Sequence, residues 1–262
     1  MSNRRYVTLA AVAASLVASL PAFGEEPRAV IELFTSQGCS ACPPADKLLG
    51  DFAKDPTLVP LTLAIDYWDY LGWKDTLALA GHARRQKAYS LVRGDRDVYT
   101  PQVVVNGSVQ ARGSDRAAVE EAIAESRRNA ATLSLPLSLS IADGRLTVAA
   151  PAGPTDAASA EVWLCPLSKS VEVAISRGEN SGQTFTYHNV VRRWSKLGVW
   201  TGKAATWSIP VAEFKTAGVD AVAVVLQDGA AAQPGTIRGA AMMSLDEKSG
   251  EITGMSSASV HR

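Results

Sequence analysis

The sequence predicts an α/β domain built on a mixed sheet, followed by a mostly β, sandwich-like domain. Two observations lead to this fold class. Strand-like and helix-like hydrophobic periods alternate from Arg28 to about Arg128, and such alternation places helices on both faces of a sheet. After Asn129 the chain consists of short strand-like runs broken by Gly and Pro, which predicts a β-sandwich or a small barrel. We place the boundary at residues 129–133.

Periodicity and turn residues define the elements of the first region. The apolar residues of 45–52 recur at i, i+3, i+4 and i+7, as on one face of a helix. Asn106 and Gly107 form a hairpin turn signal. In chain order we predict a strand at Val30–Phe34, a helix through Ala45–Phe52, a strand at Leu58–Ile65, a helix at Thr76–Leu91, a strand at Pro101–Val105, its hairpin partner at Ser108–Ala111 and a helix through Ala118–Ile123.

The second region contains eight strand candidates and one short candidate helix, at Val191–Leu197. A polar tail at 246–262 is expected to be poorly ordered. The strand candidates are Leu135–Ile141, Leu146–Ala150, Ala160–Cys165, Val171–Ile175, Thr184–Val191, Thr206–Ile209, Ala221–Gln227 and Ile237–Met243.

The N-terminus has the pattern of a secretory signal peptide. Arg4 and Arg5 precede an apolar stretch at 7–20, and Ala22 and Gly24 supply the small residues of a cleavage site after Gly24. The stretch is too short for a comfortable membrane span, although an uncleaved anchor is an alternative. The full chain has 26 basic and 26 acidic residues. We expect a periplasmic or secreted mature protein with no nucleic-acid partner and no membrane association.

Cys39 and Cys42 are the strongest candidates for chemistry. Two thiols at this spacing, between a strand and a helix, can form a reversible disulfide, although the same motif is half of a zinc site. Export favours the disulfide, because the compartment is oxidising. Cys39 comes first and is the expected nucleophile, and Cys42 is the expected resolving thiol. Cys165 is left alone as an expected buried apolar residue.

Two prolines after the motif bear on where the helix begins. Pro43 and Pro44 suit a first helical turn, so regular helix is expected to begin near Cys42. Cys39 then lies outside the helix and gains less from its dipole. Another proline, Pro101, follows Thr100 and opens a strand, where it is either an edge device or a cis-proline turn.

The order strand, Cys-x-x-Cys, helix, Thr-Pro, hairpin, Gly113 and helix resembles the thioredoxin fold. That resemblance implies that Pro101 is cis, lies against the disulfide and positions the substrate, with Thr100 beside it. Three phrases, at 31–39, 66–73 and 99–102, together with 187–192, are more closely similar to the DUF1223 family of exported thioredoxin-like proteins. The implied domains are a signal peptide at 1–24, a thioredoxin-like domain at 25–130 with an insert at 66–99, a β-rich domain at 131–245 and a tail at 246–262.

Glu32 is a charged residue in an apolar strand, and two interpretations stay open. It is either a buried proton acceptor for Cys42 with a raised pKa or an exposed carboxylate at a strand end. His188, Asn189 and Arg192 form a polar cluster that either holds an anion or satisfies buried backbone groups. His82 is expected on a solvated helix face.

The aromatic loop at 67–73 is interpreted either as a peptide-binding wall or as packing. Asp66 and Asp69 in this loop are expected to be turn or helix caps.

The leading functional hypothesis is a thiol–disulfide oxidoreductase that acts on a protein or small thiol substrate, with an unidentified redox partner. We expect no cofactor and no resident metal. Two alternatives remain open. One is a module that handles Cu(I) through the same two thiolates, with His188 completing the site. The other is a binding module in which the Cys39–Cys42 disulfide is only structural.

Overall fold

A single nine-stranded sheet runs through both regions of the chain. The computed structural model describes residues 27–154 and 158–245, so the predicted signal peptide and tail lie outside the described residues. Its elements are β1 (Ala29–Thr35), α1 (Pro43–Phe52), β2 (Leu58–Ala64), α2 (Ala80–Arg93), β3 (Gln102–Val105), β4 (Val109–Arg112), α3 (Arg116–Ser126), β5 (Ser138–Ala142), β6 (Arg145–Ala150), β7 (Ala160–Ala174), β8 (Thr184–Val191), β9 (Ser195–Trp200), β10 (Ala205–Pro210), β11 (Ala221–Ala230) and β12 (Gln233–Ser244).

The order of the large sheet is β12-β11-β7-β8-β2-β1-β3-β4, and β9 pairs with β7 outside this path. The two regions meet where β2 pairs in parallel with β8. A separate three-stranded sheet has the order β10-β6-β5. The molecule is therefore a sheet-dominated α/β protein with few helices, as the sequence predicts at this coarse level. The division into two domains near residue 130 stays a prediction, because the large sheet continues across it.

Local patterns located most elements to within a few residues, and the exceptions have identifiable causes. The candidates Ala160–Cys165 and Val171–Ile175 are one strand, β7. Pro166 does not interrupt it, because the neighbour on that side changes from β9 to β8 at this point and proline is tolerated where no ladder N–H is needed. The predicted helix at Val191–Leu197 is wrong. This stretch leads into β9, which pairs with the first residues of β7.

The two faces of the large sheet are covered differently. On one face, Ile31 and Leu33 pack against α1 and α3. The pairing register continues this face from β1 across β2 and β8 to β7. On β7, Val162 packs against Leu146 of the three-stranded sheet. We call this face the α1 face. The opposite face, here called the α2 face, packs against Tyr89 of α2.

No helix among the described residues is long and apolar enough to cross a membrane.

Candidate redox site

Cys39 and Cys42 form a disulfide at the N-terminus of α1. Their Cα atoms are 5.4 Å apart, and Cys42 is the N-cap of a helix whose first positions are prolines. The prediction that regular helix begins near Cys42 is therefore confirmed. Cys39 is 4 % exposed and Cys42 is fully buried. Ser40 and Ala41 between them are exposed, so the disulfide lies just beneath the surface.

Hydrogen bonds hold the segment that leads into Cys39. The backbone N–H of Gln37 donates to Asp75 Oδ2 at 2.7 Å. The side-chain oxygen of Gln37 accepts from Trp73 Nε1 at 2.8 Å and from the backbone N–H of Thr76 at 3.2 Å. Residues 73–76 therefore lie against the segment that leads into Cys39.

Asn180, in the loop between β7 and β8, contributes to the same segment from the β-rich region. Its Nδ2 donates to the backbone oxygen of Gln37 at 2.9 Å and to that of Cys39 at 3.1 Å. The neighbouring Gly178 has φ +76° and lies so close to Trp73 that an added Cβ would sit 3.3 Å from the Trp73 Cβ. Sequence reasoning missed Asn180, because no local pattern distinguishes it from an ordinary turn asparagine.

Trp68 connects the disulfide segment to Thr100 and Pro101. Its indole N–H donates to Thr100 Oγ1 at 2.7 Å, and its own Cβ lies 3.1 Å from where a side chain on Gly38 would begin. The peptide bond between Thr100 and Pro101 is cis. Thr100 and Pro101 are thus brought to the same end of the sheet as the disulfide, while their role in positioning a substrate stays a prediction.

Asp46 is a buried acid that sequence reasoning missed. It lies on α1 one turn after Cys42, and its backbone N–H donates to the Cys42 carbonyl at 3.1 Å. Residues four apart lie on the same face of a helix, and Cys42 itself has helical dihedrals, so the two side chains share a face. Both carboxyl oxygens of Asp46 are buried and have no hydrogen-bond partner among the described residues.

The surroundings of Asp46 favour its protonated form. Burial raises its pKa to about 8, the nearby Thr35 side chain opposes the rise, and the negative charge of Asp75 adds to it. Burial also raises the pKa of Asp75 and that of Tyr187 on β8. The sequence does hold one signal for this site, because Asp46 interrupts the apolar residues between Ala45 and Leu48 of α1.

Glu32 is fully buried, so the interpretation as an exposed strand-end carboxylate is wrong. Its two oxygens bind Arg85 Nε at 2.6 Å and the Tyr89 hydroxyl at 2.5 Å. Both partners belong to α2, so Glu32 points to the α2 face, whereas Cys42 begins the helix on the opposite face. This geometry speaks against Glu32 as the proton acceptor for Cys42 and makes it the structural partner of Arg85.

The predicted cluster of His188, Asn189 and Arg192 does not converge on one site. The Asn189 side chain donates to the Pro60 carbonyl at 3.0 Å, as the structural interpretation expects. The His188 ring lies against Gly50 of α1. Arg192 is exposed and lines a different cavity. The three residues therefore offer no common anion site.

His82 is the clearest correction on α2. It is fully buried rather than solvated, because the first turn of α2 packs against the end of β2. There its Nδ1 lies 2.9 Å from the Ala64 carbonyl oxygen. Burial lowers the pKa of His82 to about 4, so the ring is neutral at physiological pH. Cys165 is buried, as the sequence predicts.

Packing accounts for part of the aromatic loop, and its interpretation as a peptide-binding wall stays a prediction. Tyr67 and Trp68 pack against the core, whereas Tyr70 is 77 % exposed and stacks on Trp68. Asp69 Oδ1 accepts the backbone N–H of Asp75 at 3.0 Å, as a turn-capping residue does. The described residues contain no group of three or more His, Cys, Asp and Glu side chains placed to hold a metal ion.

Comparison with known proteins identifies the family. A model of a protein family of unknown function, DUF1223, matches residues 30–227. The chain belongs to the DUF1223 family. The X-ray structure of protein AGR_C_4864 from Agrobacterium tumefaciens is similar at 29 % identity and a TM-score of 0.76, over 90 % of this chain and all of the other.

HBP35 of Porphyromonas gingivalis is similar in fold alone. Its identity to this chain is 11 % and the TM-score is 0.57, over 90 % of this chain and 81 % of the other. No functionally curated protein matches the chain.

Proposed function

We propose that this DUF1223 protein is an exported thiol–disulfide oxidoreductase that works through Cys39 and Cys42. One observation carries the proposal: a disulfide at a helix N-terminus, beneath the exposed residues Ser40 and Ala41, with a buried acid one helical turn beyond Cys42 that has no hydrogen-bond partner among the described residues. A purely structural disulfide does not require a buried acid at this position, because no proton is transferred there. The predicted export supports the proposal, since an oxidising compartment is where an exchanging disulfide is regenerated.

The exchange proceeds in two displacements. A substrate thiolate attacks Cys39 Sγ, the Cys39–Cys42 bond breaks, and Cys42 leaves as a thiolate. A second substrate thiolate then attacks the substrate sulfur of the mixed disulfide, and Cys39 leaves. The substrate loses two electrons and two protons, and the cysteine pair gains both. The reverse sequence reduces a substrate disulfide, so the same residues serve either direction without a cofactor.

In this proposal Asp46 moves the proton at Cys42. When the pair is a disulfide, the acid is protonated, since its pKa is raised to about 8. It can therefore donate to the Cys42 thiolate as that thiolate forms. In the reverse direction the carboxylate takes the proton back and activates Cys42. Asp46 replaces Glu32 in this role.

The substrate is proposed to lie along Trp68, Thr100 and Pro101. Trp68 contacts the segment before Cys39 and the residue before the cis-proline. Its stacking partner Tyr70 is exposed and adds an aromatic surface of the kind that binds peptides. A protein thiol therefore fits this surface better than a small free thiol.

The test measures exchange between the reduced protein and an aromatic disulfide reporter. We expect Cys39→Ala to abolish the exchange, because Cys42 and Cys165 are fully buried. Cys42→Ala is expected to react once and to remain as a mixed disulfide. The matched control is Cys165→Ala, which removes the buried third thiol and leaves the rate unchanged.

Two results would count against the proposal. One is a Cys39→Ala variant that exchanges at the wild-type rate. The other is a reduction potential of the pair below about −300 mV, the range of structural disulfides that resist reduction. A potential above this value, together with the trapped intermediate in Cys42→Ala, supports the proposal.

A further inference from the structure

A cavity of about 700 Å³ opens on the α2 face, away from the redox site. It lies between α2, Trp163 of β7, the segment before β9 and the turn between β11 and β12. Among the described helices, α2 alone packs on this face, and the cavity lies at the side of α2 that faces Trp163 and Trp194.

The cavity has a strongly basic mouth. Four exposed cations line it, namely Arg84, Lys87, Arg192 and Arg193, and none of the described lining residues is acidic. Arg84, Lys87 and Arg192 make no ion pair with any residue in 27–154 or 158–245. Clustered cations without ion-pair partners among the described residues create a positive potential at the mouth. This potential raises the affinity of the cavity for an anion.

Below the mouth the walls are apolar and aromatic. The rings of Trp163 and Trp194 meet edge to face with centroids 6.3 Å apart, and Leu79 and Leu91 contribute aliphatic surface. Arg85 also lines the cavity, where it stacks over Trp194 at 4.1 Å. The charge of Arg85 is neutralised by Glu32, so the depth of the cavity is neutral while its rim is positive.

Two polar atoms of the lining residues have no partner. The indole Nε1 of Trp194 and Nε2 of His82 are buried without a hydrogen bond among the described residues. The Nδ1 of His82 faces a carbonyl oxygen and therefore carries the proton, which leaves Nε2 as an acceptor. Buried polar atoms are almost always satisfied in folded proteins. The apolar wall thus retains one donor and one acceptor that the fold itself does not use.

We propose that this cavity binds a small amphipathic anion, a molecule with an apolar body and one acidic group. The apolar body lies between α2 and the two tryptophans, and the acidic group lies among the cations at the mouth. The volume falls in the range that holds a small organic ligand, and such sites combine apolar walls with a few polar groups. The proposal does not rest on the redox function, because Cys39 and Asp46 lie elsewhere.

The probe for this site is anilinonaphthalene sulfonate, an apolar fluorophore with one negative charge. We expect one probe molecule per chain, with quenching of tryptophan emission. The double variant Arg84→Gln/Arg192→Gln should bind about tenfold more weakly, because charge-assisted contacts are lost. Lys203→Gln removes an exposed cation outside the cavity and should not change the affinity. Ala232→Trp, at the edge of the cavity, should block the probe.

Two further arms make the test decisive. The uncharged dye Nile red should bind the double variant as tightly as it binds the wild type, but should be excluded by Ala232→Trp. Competition with a long-chain fatty acid and with an aromatic carboxylate identifies which apolar body fits, and displacement by either supports the site. Failure of the wild type to bind the probe, an unchanged affinity in the double variant, or displacement by neither acid overturns the proposal. Cys39→Ala should bind the probe normally whether or not the redox proposal holds.

Discussion

Two buried carboxyl groups, Glu32 and Asp46, lie on opposite faces of the large sheet and differ in their hydrogen-bond partners. Glu32, on the α2 face, binds the Arg85 guanidinium and the Tyr89 hydroxyl, and Arg85 binds Gln227 of β11 as well. Asp46, on the α1 face, has no hydrogen-bond partner among the described residues. A buried charge is stable only when it is paired. Glu32 is paired in this way, whereas burial raises the pKa of Asp46 and favours its protonated form.

The comparison separates a structural role from a chemical one. The Glu32 network joins α2 to β1 and to β11, so it connects elements from the two regions of the chain. The Asp46 side chain forms no hydrogen bond to another element of the described structure, and its burial makes ionisation unfavourable for the fold. A buried group that lowers the stability of the fold and lies one helical turn from a disulfide is best explained by a role in the exchange reaction. The predictions below test this contrast, from the largest expected effect to the smallest.

The largest effect is expected from Arg85→Met, which leaves Glu32 buried without its ion pair. Removing one partner of a buried pair costs about 3–5 kcal/mol of unfolding free energy. Urea unfolding at pH 7 measures this loss. The neighbouring Arg84→Met is the control, and we expect it to stay within about 0.5 kcal/mol of the wild type, because Arg84 is exposed.

A second substitution checks the cause. Adding Glu32→Leu to Arg85→Met removes the unpaired charge and should restore much of the lost stability. A double variant as unstable as Arg85→Met alone would show that the loss comes from packing around the arginine rather than from the stranded carboxylate.

Asp46→Asn is expected to have the opposite sign. The pKa of Asp46 is raised to about 8 in the folded protein and is about 4 in an unfolded chain. Wild-type stability is therefore lost as pH rises from about 4 through 8, and the variant lacks this loss. We expect Asp46→Asn to stabilise the fold by about 2 kcal/mol at pH 8, less than the whole shift implies because the amide is itself a buried polar group. At pH 4 the gain should vanish.

Urea unfolding at the two pH values measures the gain, and Asp51→Asn on the exposed side of α1 is the control. The same Asp46→Asn variant should exchange with the reporter disulfide about tenfold or more slowly, because no group then moves the Cys42 proton. A variant that is neither stabilised at pH 8 nor slowed would remove Asp46 from the proposed mechanism.

The smallest effect is expected from Asn180→Ala, which removes the two bonds from the β7–β8 loop to Gln37 and Cys39. We expect a loss of about 1 kcal/mol and faster reduction of the disulfide by dithiothreitol, since the segment before Cys39 is freed. Ser181→Ala, on the exposed neighbour, should change neither quantity. Equal reduction rates in all three proteins would mean that the β-rich region does not restrain the site.

Predictions from the sequence succeeded where the physics is local. Two prolines after Cys42 limit where a helix can begin, so adjacent residues were enough to predict the first residue of α1. The hydrophobic run at Val30–Phe34 likewise identified β1. The same reasoning misjudged the helix at Val191–Leu197, because the preference of that stretch was overridden by pairing with β7, a partner about 30 residues away in the chain.

By itself the sequence determined the family, the spacing of the cysteine pair and the order of most elements, because spacing and turn residues act over a few positions. Only the tertiary structure decided which carboxylate is paired, that His82 is buried, and that Asn180 bonds to Cys39, from which it is separated by 141 positions in the sequence. Each of these depends on which face of the large sheet a side chain meets and on what covers that face. The role of a buried carboxyl group follows from that environment, so Glu32 is the structural partner of Arg85, whereas Asp46 is the proton carrier of the proposed mechanism.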